Sequence, residues 1–405
     1  MVILGKWHQK SISLSIKPNS LTISIEGSDE PSVLSYDLSG RLWTALLRQV
    51  SYRRGLNGKV VAKWFVDGYQ RDRRWLSRAE CDAFLNECQQ IVSSLIQAIS
   101  TDEALLSTPL KPEESFLLKK AAAFSPELAD IDTHHFEEIY KPVGILPPDQ
   151  YMSVVLQLTE GCAFNTCTFC TFYRDRPFRI KKPDEFEIHL RAIRNYLGEG
   201  LSLRRTIFLG DANALIVPMA QLTVLMEQIH HVYDVEKMGG IYAFLDGFSG
   251  EKKSKADYQI LAGLGLKRVY LGLESGDPDL LHLLKKPGDP SDVILAVQSM
   301  KNAGLAVGLI VLLGAGGHRF EQSHIRETIR VLNQMPLDAD DLIYFSELIE
   351  TEGMPYVQTA YANHFLPLTS NERICQGEFI QAGLKFTTAG GTPHISRYDI
   401  REFVY

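Results

Sequence analysis

No stretch of this 405-residue chain approaches the ~20 consecutive apolar residues a membrane span needs, and its apolar start is too short for an export signal. Positive charge is not in excess either. The formal net charge of -7 removes any global attraction to nucleic acid or acidic membranes. Cysteine is scarce: six residues are too few for a disulfide scaffold in a chain of this size. Internal repeats of fixed period and low-complexity segments are absent. What remains is an ordinary globular balance, 45% hydrophobic and 22% charged, with enough apolar surface to exclude disorder as the main theme. The length suggests two or three domains. Three of the six cysteines, Cys162, Cys167 and Cys170, crowd into nine residues. Without an export signal, that crowding points to a reducing, cytoplasmic compartment and to metal or redox chemistry.

The chain reads as an α+β N-terminal domain (1–145), a regular α/β core (146–355) and a C-terminal extension (356–405). Ser11 to Ile16 and Leu21 to Ile25 alternate around Pro18-Asn19-Ser20 and predict a hairpin. Leu42 to Val50 and Glu80 to Ile99 predict helices, the second with Phe84, Cys88, Ile91, Leu95 and Ile99 at core-facing spacing. Thr101 to Glu114 and the proline-rich Tyr140 to Gln150 read as connectors.

From Ser153 onward, short apolar runs alternate with amphipathic helical stretches. The runs are Val154–Leu158, Thr206–Leu209, Ile241–Leu245, Arg268–Leu273, Ala306–Leu313 and Leu342–Phe345. Asp184 and Glu187 form an Asp-x-x-Glu capping pattern ahead of one helix, and Ala303-Gly304 ends another. Six such units predict a parallel sheet with right-handed crossovers, a partial (β/α)6 TIM-type barrel. Chemistry in either an open sheet or a barrel sits at the carboxyl ends of the strands.

The cysteines fall there, just past the first predicted strand, in Glu160-Gly161-Cys162-Ala-Phe-Asn-Thr-Cys167-Thr-Phe169-Cys170. Structural zinc wants a fourth ligand, and no second Cys pair or spaced His pair follows nearby. A [4Fe-4S] cluster held by three cysteines keeps one iron open. On these residues the chain resembles the radical S-adenosylmethionine (radical SAM) enzymes, with an Elongator-like or coproporphyrinogen-dehydrogenase-like core. The usual spacing is Cys-x3-Cys-x2-Cys; this chain has Cys-x4-Cys-x2-Cys, with Phe169 as the aromatic before the third cysteine.

The resemblance implies a [4Fe-4S] cluster on Cys162, Cys167 and Cys170 and S-adenosylmethionine chelated to its open iron. One-electron reduction from a flavodoxin- or ferredoxin-type donor would then yield a 5'-deoxyadenosyl radical that abstracts hydrogen from substrate. It also assigns cofactor contacts at later strand ends. Asp211, in Gly210-Asp211-Ala212-Asn213, stands where the family often has a Gly-Gly-Glu turn; a helix-capping role is the alternative. Glu274 or Ser275 is placed for ribose hydroxyls or the methionine carboxylate, and Arg174 or Arg179 for that carboxylate. Gly314-Ala-Gly316-Gly317 matches the family's adenine-contact strand only loosely and reads first as a tight turn.

Only Cys375 remains towards the C-terminus, and Cys81 and Cys88 lie two turns apart on one helix face, so one cluster is expected. Asp132-Thr-His134-His-Phe-Glu137 starts a cobalamin-type pattern but lacks its glycine, and the Elongator family's acetyltransferase-like domain is missing. Arg41 to Arg78 holds ten Lys or Arg against two Asp, interleaved with Trp43, Tyr52, Trp64, Phe65, Tyr69 and Trp75. Such a segment either stacks and neutralises nucleic acid or forms a lid or inter-domain face paired with acidic residues, and the second reading leads. The leading function is therefore a radical SAM enzyme acting on a small molecule or natural-product intermediate. A radical SAM enzyme modifying RNA or a peptide is second, and a non-enzymatic redox or zinc-binding protein a distant third.

Overall fold

The computed structural model describes residues 1–27, 31–66, 70–250, 252–351, 353–386 and 390–405. Tyr69 of the basic segment lies outside them. The described chain divides into two compact units: Met1–Val143 with Arg191–Arg205 and Arg401–Tyr405, and Gly144–Leu190 with Thr206–Ile400.

The first unit is built on a nine-stranded antiparallel sheet. Its strands are β1 (Val2–Trp7), β2 (Lys10–Lys17), β3 (Ser20–Glu26), β4 (Ser32–Tyr36), β5 (Leu42–Leu47), β6 (Val50–Arg54), β7 (Val60–Val66), β8 (Gln70–Trp75) and β9 (Ala104–Leu106). They lie in the order β8-β7-β6-β5-β4-β3-β2-β1-β9, a meander closed by one late strand. The predicted hairpin is β2–β3, pairing Ile12 with Ile25 and Leu14 with Ile23. One face is covered by α1 (Arg78–Ser100), α2 (Pro112–Ala123) and α3 (Pro126–Ile139). Helix α1 starts at a Ser77–Glu80 capping box and buries Cys81, Phe84, Leu85, Cys88, Val92, Leu95 and Ala98. Each large apolar side chain so buried contributes about 1.5–3 kcal/mol.

Leu42 to Val50 is not the helix its spacing predicts. A bulge between β4 and β5 pairs Ser35 with Thr44 but Tyr36 with Leu42, leaving Trp43 as the extra residue. The buried residues Leu42, Ala45 and Leu47 therefore fall at intervals of three and two, which breaks the alternation that marks a strand and gives Leu42–Ala45 a helix-like i, i+3 step.

In the second unit, β10 (Ser153–Gln157) is followed by a small ladder of β11 (Thr159–Glu160) and β12 (Arg179–Ile180), which closes the neck of the cysteine loop. Helix α4 (Pro183–Leu197) follows, belonging to this unit as far as Leu190; its capping carboxylate is Glu185, which accepts the Lys182 N–H at 2.8 Å, and not Glu187 as predicted. Pro183 at the first helical position shifts the start of the helix and so displaces the Asp184–Glu187 pattern. Then come β13 (Thr206–Gly210), α5 (Met219–Val232), β14 (Ile241–Phe244), α6 (Gly247–Gly250), α7 (Lys255–Gly263), β15 (Leu266–Glu274), α8 (Pro278–Leu283) and α9 (Pro290–Asn302). The chain continues through β16 (Ala306–Leu313), α10 (Gly317–Leu332), β17 (Leu342–Glu347), α11 (Pro355–Ala362), α12 (Ser370–Gly383) and β18 (His394–Tyr398).

The sheet order is β10-β13-β14-β15-β16-β17-β18 with every pair parallel. All six expected strands are present, and the unit is a partial TIM-type barrel with one strand more than predicted. Strand β18 reads His-Ile-Ser-Arg-Tyr with no buried residue, so it carries no apolar run to announce it. The outer face of the sheet (Val154, Leu156, Ile207, Leu209, Val269, Leu271, Val307, Leu309) is fully covered. On the inner face, the Tyr270 hydroxyl and, at 2.8 Å, the Tyr344 hydroxyl both donate to Asp149, closing the amino-terminal end. Among the described residues no helix is long and apolar enough to cross a membrane.

Candidate active site at the strand ends

The cysteine loop leaves β11 through Gly161, whose φ of +77° and lack of room beside Pro177 O (2.9 Å from an added Cβ) require glycine. Its N–H donates to Asp211 Oδ2 at 2.9 Å. The third of the four residues in the first gap, Asn165, sits in the left-handed region (φ +51°), where Asn is among the best tolerated residues. Its N–H reaches Cys162 Sγ at 3.4 Å and its amide donates to Tyr173 O at 3.1 Å. The longer gap is thus taken up in one turn around the first cysteine. Arg174 holds the other two: Nε donates to Cys170 O and Nη2 to Cys167 O, both at 2.9 Å. Thr168 N–H donates to Leu284 O at 2.9 Å, Tyr356 N–H to Thr168 O at 3.0 Å, and Thr166 Oγ1 to Lys285 O at 3.1 Å. Phe169 packs with Leu280, Leu284, Leu312, Leu348, Met354 and Tyr356.

All three cysteines are free and partly exposed. Burial pushes the Cys167 thiol up to about 11; Lys286 opposes this, while Glu274, Cys170 and Cys162 add to it. Burial likewise raises Cys170. Mutual influence of the three sulfurs means that ionising them together needs a compensating cation, which metal ligation supplies. Among the described residues no group of three or more His, Cys, Asp or Glu is gathered to hold a metal ion. Such gathering is what a single tetrahedral ion demands. A four-iron cluster takes one thiolate on each of three irons, and three thiols on one anchored loop fit that donor set.

Asp211 is buried and fully engaged. It accepts Gln157 Nε2 at 2.7 Å, Gly161 N at 2.9 Å, and Arg176 through Nε at 3.2 Å and Nη2 at 3.1 Å. Burial raises its pKa and the Arg176 charge pulls it back. Arg179 is spent on Glu160 (2.7 and 2.9 Å) and Glu185, outside the loop. Burial would raise Glu160, but hydrogen bonds from Arg179 and Lys181 outweigh it and hold the carboxyl down at about 2.

Glu274 ends β15 at a bulge with φ +59°, a strained setting for a residue with a side chain. Gly272 makes the space: an added Cβ there would meet Glu274 Oε1 at 2.3 Å and Lys286 Nζ at 3.0 Å. The carboxylate pairs with Lys286 at 3.6 Å. Burial pushes Glu274 up; at Lys286 burial is outweighed by Glu274 and then Cys167, so its ammonium stays charged. Ser275 points away, its hydroxyl 2.7 Å from His324 Nδ1 and accepting Asp277 N–H at 3.0 Å. Asn213 donates to Asp246 at the end of β14, and its Oδ1 is buried without a partner.

The strand ends therefore bring together Cys162, Cys167, Cys170, Phe169, Asp211 and Glu274, and turn Arg179 and Ser275 elsewhere. Sequence reasoning missed Lys286, Arg176 and Asn213. Lys286 sits in Lys285-Lys286-Pro287-Gly288, which reads as a solvated turn; a lysine twelve residues after Glu274 has no spacing rule to mark it. The Gly314–Gly317 cluster is a packing feature, since Gly316 (φ +76°) donates its N–H to Tyr356 Oη at 2.8 Å and a Cβ on Gly317 would meet Leu366 O at 2.2 Å.

Residues 156–332 match the family model described as Radical SAM superfamily. A GTP 3',8-cyclase of Rhizobium meliloti is 26% identical over 136 residues, covering 33% of this chain and 36% of that protein; the match thus spans about a third of the curated relative's length. Among solved structures, Methanocaldococcus infernus Elp3 aligns with TM-score 0.38 and 16% identity, over 52% of this chain and 51% of that one. Escherichia coli coproporphyrinogen III oxidase (HemN) aligns with TM-score 0.43 and 12% identity, over 62% and 56%.

Proposed function

This chain belongs to the radical SAM superfamily through residues 156–332, and from that premise we propose that it abstracts hydrogen from a small-molecule or natural-product substrate. It is an enzyme of that class, and the class uses a [4Fe-4S] cluster and S-adenosylmethionine. When bound and reduced by one electron, that pair supplies methionine and a 5'-deoxyadenosyl radical.

The chain's own residues divide the remaining work. Cys162, Cys167 and Cys170 hold the cluster. Arg174, Asn165 and Asp211 fix the loop that carries them, so Asp211 acts by anchoring Gly161. The Glu274–Lys286 pair offers a carboxylate for ribose hydroxyls and an ammonium for the methionine carboxylate. Phe169 seals the loop against the apolar cluster below it. The Arg179 and Ser275 assignments are replaced in this reading by Lys286 and Glu274. Residues 146–355, apart from 191–205, carry this core; 1–145 with 191–205 and 401–405 form an accessory domain; and 356–400 extend the core. A flavodoxin- or ferredoxin-type protein delivers the electron, in the cytoplasm.

The observation that carries the proposal is three free cysteines on one loop tied to Asp211 at the end of β13, to Leu284 at the end of α8 and to Tyr356 of α11. Anaerobic reconstitution with iron and sulfide should give about four irons per chain, a dithionite-reducible paramagnet perturbed by S-adenosylmethionine, and slow formation of 5'-deoxyadenosine. Zinc in place of iron, with no cleavage under reduction, would overturn it.

A further inference from the structure

The inner face of the parallel sheet is not uniformly filled. Covered outer-face residues contrast with Phe244, Gly272, Ile310 and Tyr398 on the inner face, all of which remain partly accessible. Register orders them along one face: Phe244 pairs with Tyr270, Gly272 with Ile310 two residues further on, and Ser346 with Tyr398 two residues beyond that, and paired residues of parallel strands share a face. Aromatic contacts run along this face. Phe208, Phe244 and Tyr270 meet at 5.1–6.1 Å, and Tyr344 meets Tyr398 edge-on at 5.7 Å and 83°. Gly308 admits the Tyr270 ring, which an added Cβ would strike at 2.3 Å. Above them stand Glu274 and Lys286, and Tyr398 lies within the electrostatic reach of Glu274.

The charged groups around this space are already engaged. Arg268 is spent on Asp149, Lys286 on Glu274, and Asp246 accepts from Asn213 and from Ser249 N–H. What the space offers a ligand is an aromatic floor, an aliphatic wall and the hydroxyl pair of Ser346 and Tyr398, which are hydrogen-bonded to each other. An ion entering here would lose its hydration without gaining a free counter-charge, a cost of several kcal/mol in a low-dielectric site. Both hydroxyls lie on β17 and β18, beyond residue 332, and therefore outside the segment that matches the family model. This wall is where the chain can set its own specificity.

We propose that Phe244, Ile310, Ser346 and Tyr398 form the substrate subsite of this enzyme, and that it takes an uncharged planar ring carrying a polar atom. The proposal rests on the radical-enzyme reading for the word substrate, and deepens it by naming the class. A ring lying on the aromatic floor would present its edge to the strand ends, with its polar atom on the Ser346–Tyr398 hydroxyls.

Benzamide, benzoate and benzamidine test this, because they share a shape and differ in charge. Ligand-observed NMR titration of the reconstituted protein should show benzamide binding with a dissociation constant on the order of 1 mM, as expected for so small a ligand. Benzoate and benzamidine should bind at least tenfold more weakly. Ile310→Trp, which fills the space, and Tyr398→Ala should each weaken benzamide at least fivefold; Tyr398→Phe, which keeps the ring, should weaken it about threefold. Equal or tighter binding of either ion, or benzamide binding unchanged in all three variants, would overturn the proposal. Cleavage of S-adenosylmethionine by the same wild-type sample separates the two readings. Cleavage without charge selectivity sinks the subsite alone, and selectivity without cleavage sinks the radical reading while the subsite stands.

Discussion

Asp211 accepts the backbone N–H of Gly161 at 2.9 Å, so the end of the second parallel strand is tied to the residue before the first cysteine. The same carboxylate neutralises the buried Arg176 at 3.1 Å, with side-chain exposures of 2% and 7%. Replacing it by Ala leaves a buried guanidinium without that partner and frees the neck of the loop. Asp211→Ala should lose about 3–5 kcal/mol of unfolding free energy in urea, the usual cost of breaking a buried pair. It should also lower iron loading. A loss under about 1 kcal/mol with full loading would show the anchor to be dispensable.

The six cysteines should separate into two groups. Cys162→Ala, Cys167→Ala and Cys170→Ala should each fail to assemble a defined four-iron cluster, as read by iron content and the reduced paramagnetic signal. Cys81 and Cys88 are buried in the first unit, where burial pushes both thiols up, and Cys375 is an exposed residue of α12. Their Ala variants should keep four irons at a packing cost of about 1 kcal/mol for Cys88. A cluster persisting in Cys167→Ala would remove that residue from the ligand set.

Cofactor affinity should depend on Lys286 more than on Arg179. Lys286→Met removes the ammonium and leaves Glu274 buried beside it; Arg179→Met removes an exposed partner of Glu160 and Glu185. Calorimetry of the reconstituted protein should show S-adenosylmethionine weakened by one to two decades in the first variant, the equivalent of a charge-assisted hydrogen bond of ~1.5–3 kcal/mol. The second should change it less than threefold. The reverse order would restore Arg179 to the cofactor site.

Much of this arrangement is legible in the sequence, for identifiable reasons. Strands buried on both faces are continuous apolar runs, so six of the seven parallel strands stand out, and the Cys-x4-Cys-x2-Cys run lies where the first ends. Polar or interrupted strands do not. Strand β18 has no apolar residue but Ile395 and Tyr398, and β5 carries a bulge that breaks its alternation. Asp211, Glu274 and Ser275 are visible as polar residues after apolar runs, but their partners are not. Whether Ser275 faces the cysteines or His324 depends on the left-handed turn at Glu274, which follows from the tertiary grip of α10 on Gly276, whose N–H donates to Thr328 Oγ1 at 3.0 Å.

His324 gives the molecule a weak side in mild acid. The imidazole is fully buried on α10, Nδ1 bonded to Ser275 and Nε2 without a partner, and burial depresses its pKa from 6.5 to about 4. Between those values the unfolded chain takes a proton that the folded one refuses, so stability falls as pH drops from about 6.5 to about 4 and this residue adds no further loss below that. The full contribution is on the order of 3 kcal/mol. His324→Gln should be less stable near neutrality but flatter across this window. Equal slopes in urea titrations at pH 4.5, 5.5, 6.5 and 7.5 would show that His324 does not carry the dependence.

The basic segment Arg41–Arg78 should not make this protein a general RNA binder. Seven of its ten cations pair with carboxylates within the first unit. Arg41 and Arg54 share Asp132 at 2.6 and 3.5 Å, Lys63 and Arg73 pair with Glu402, Arg74 with Glu80 at 2.6 Å, Arg48 with Glu87, and Arg78 with Asp82 and Asp130. Phosphate would have to displace these carboxylates, and Arg54 is itself buried. Fluorescence anisotropy with a single-stranded RNA at ~0.15 M salt should therefore give no micromolar affinity, and what binding appears at low salt should vanish steeply as salt rises. Joint replacement of Arg53, Arg54, Arg73 and Arg74 by Ala should register as lost stability, because Asp132 is left with one of its two partners, and leave RNA binding as weak as before. Micromolar affinity that this replacement abolishes in a folded variant would reverse the reading. It would make the first unit a recognition module for nucleic acid, since binding would then outcompete ion pairs the fold already satisfies.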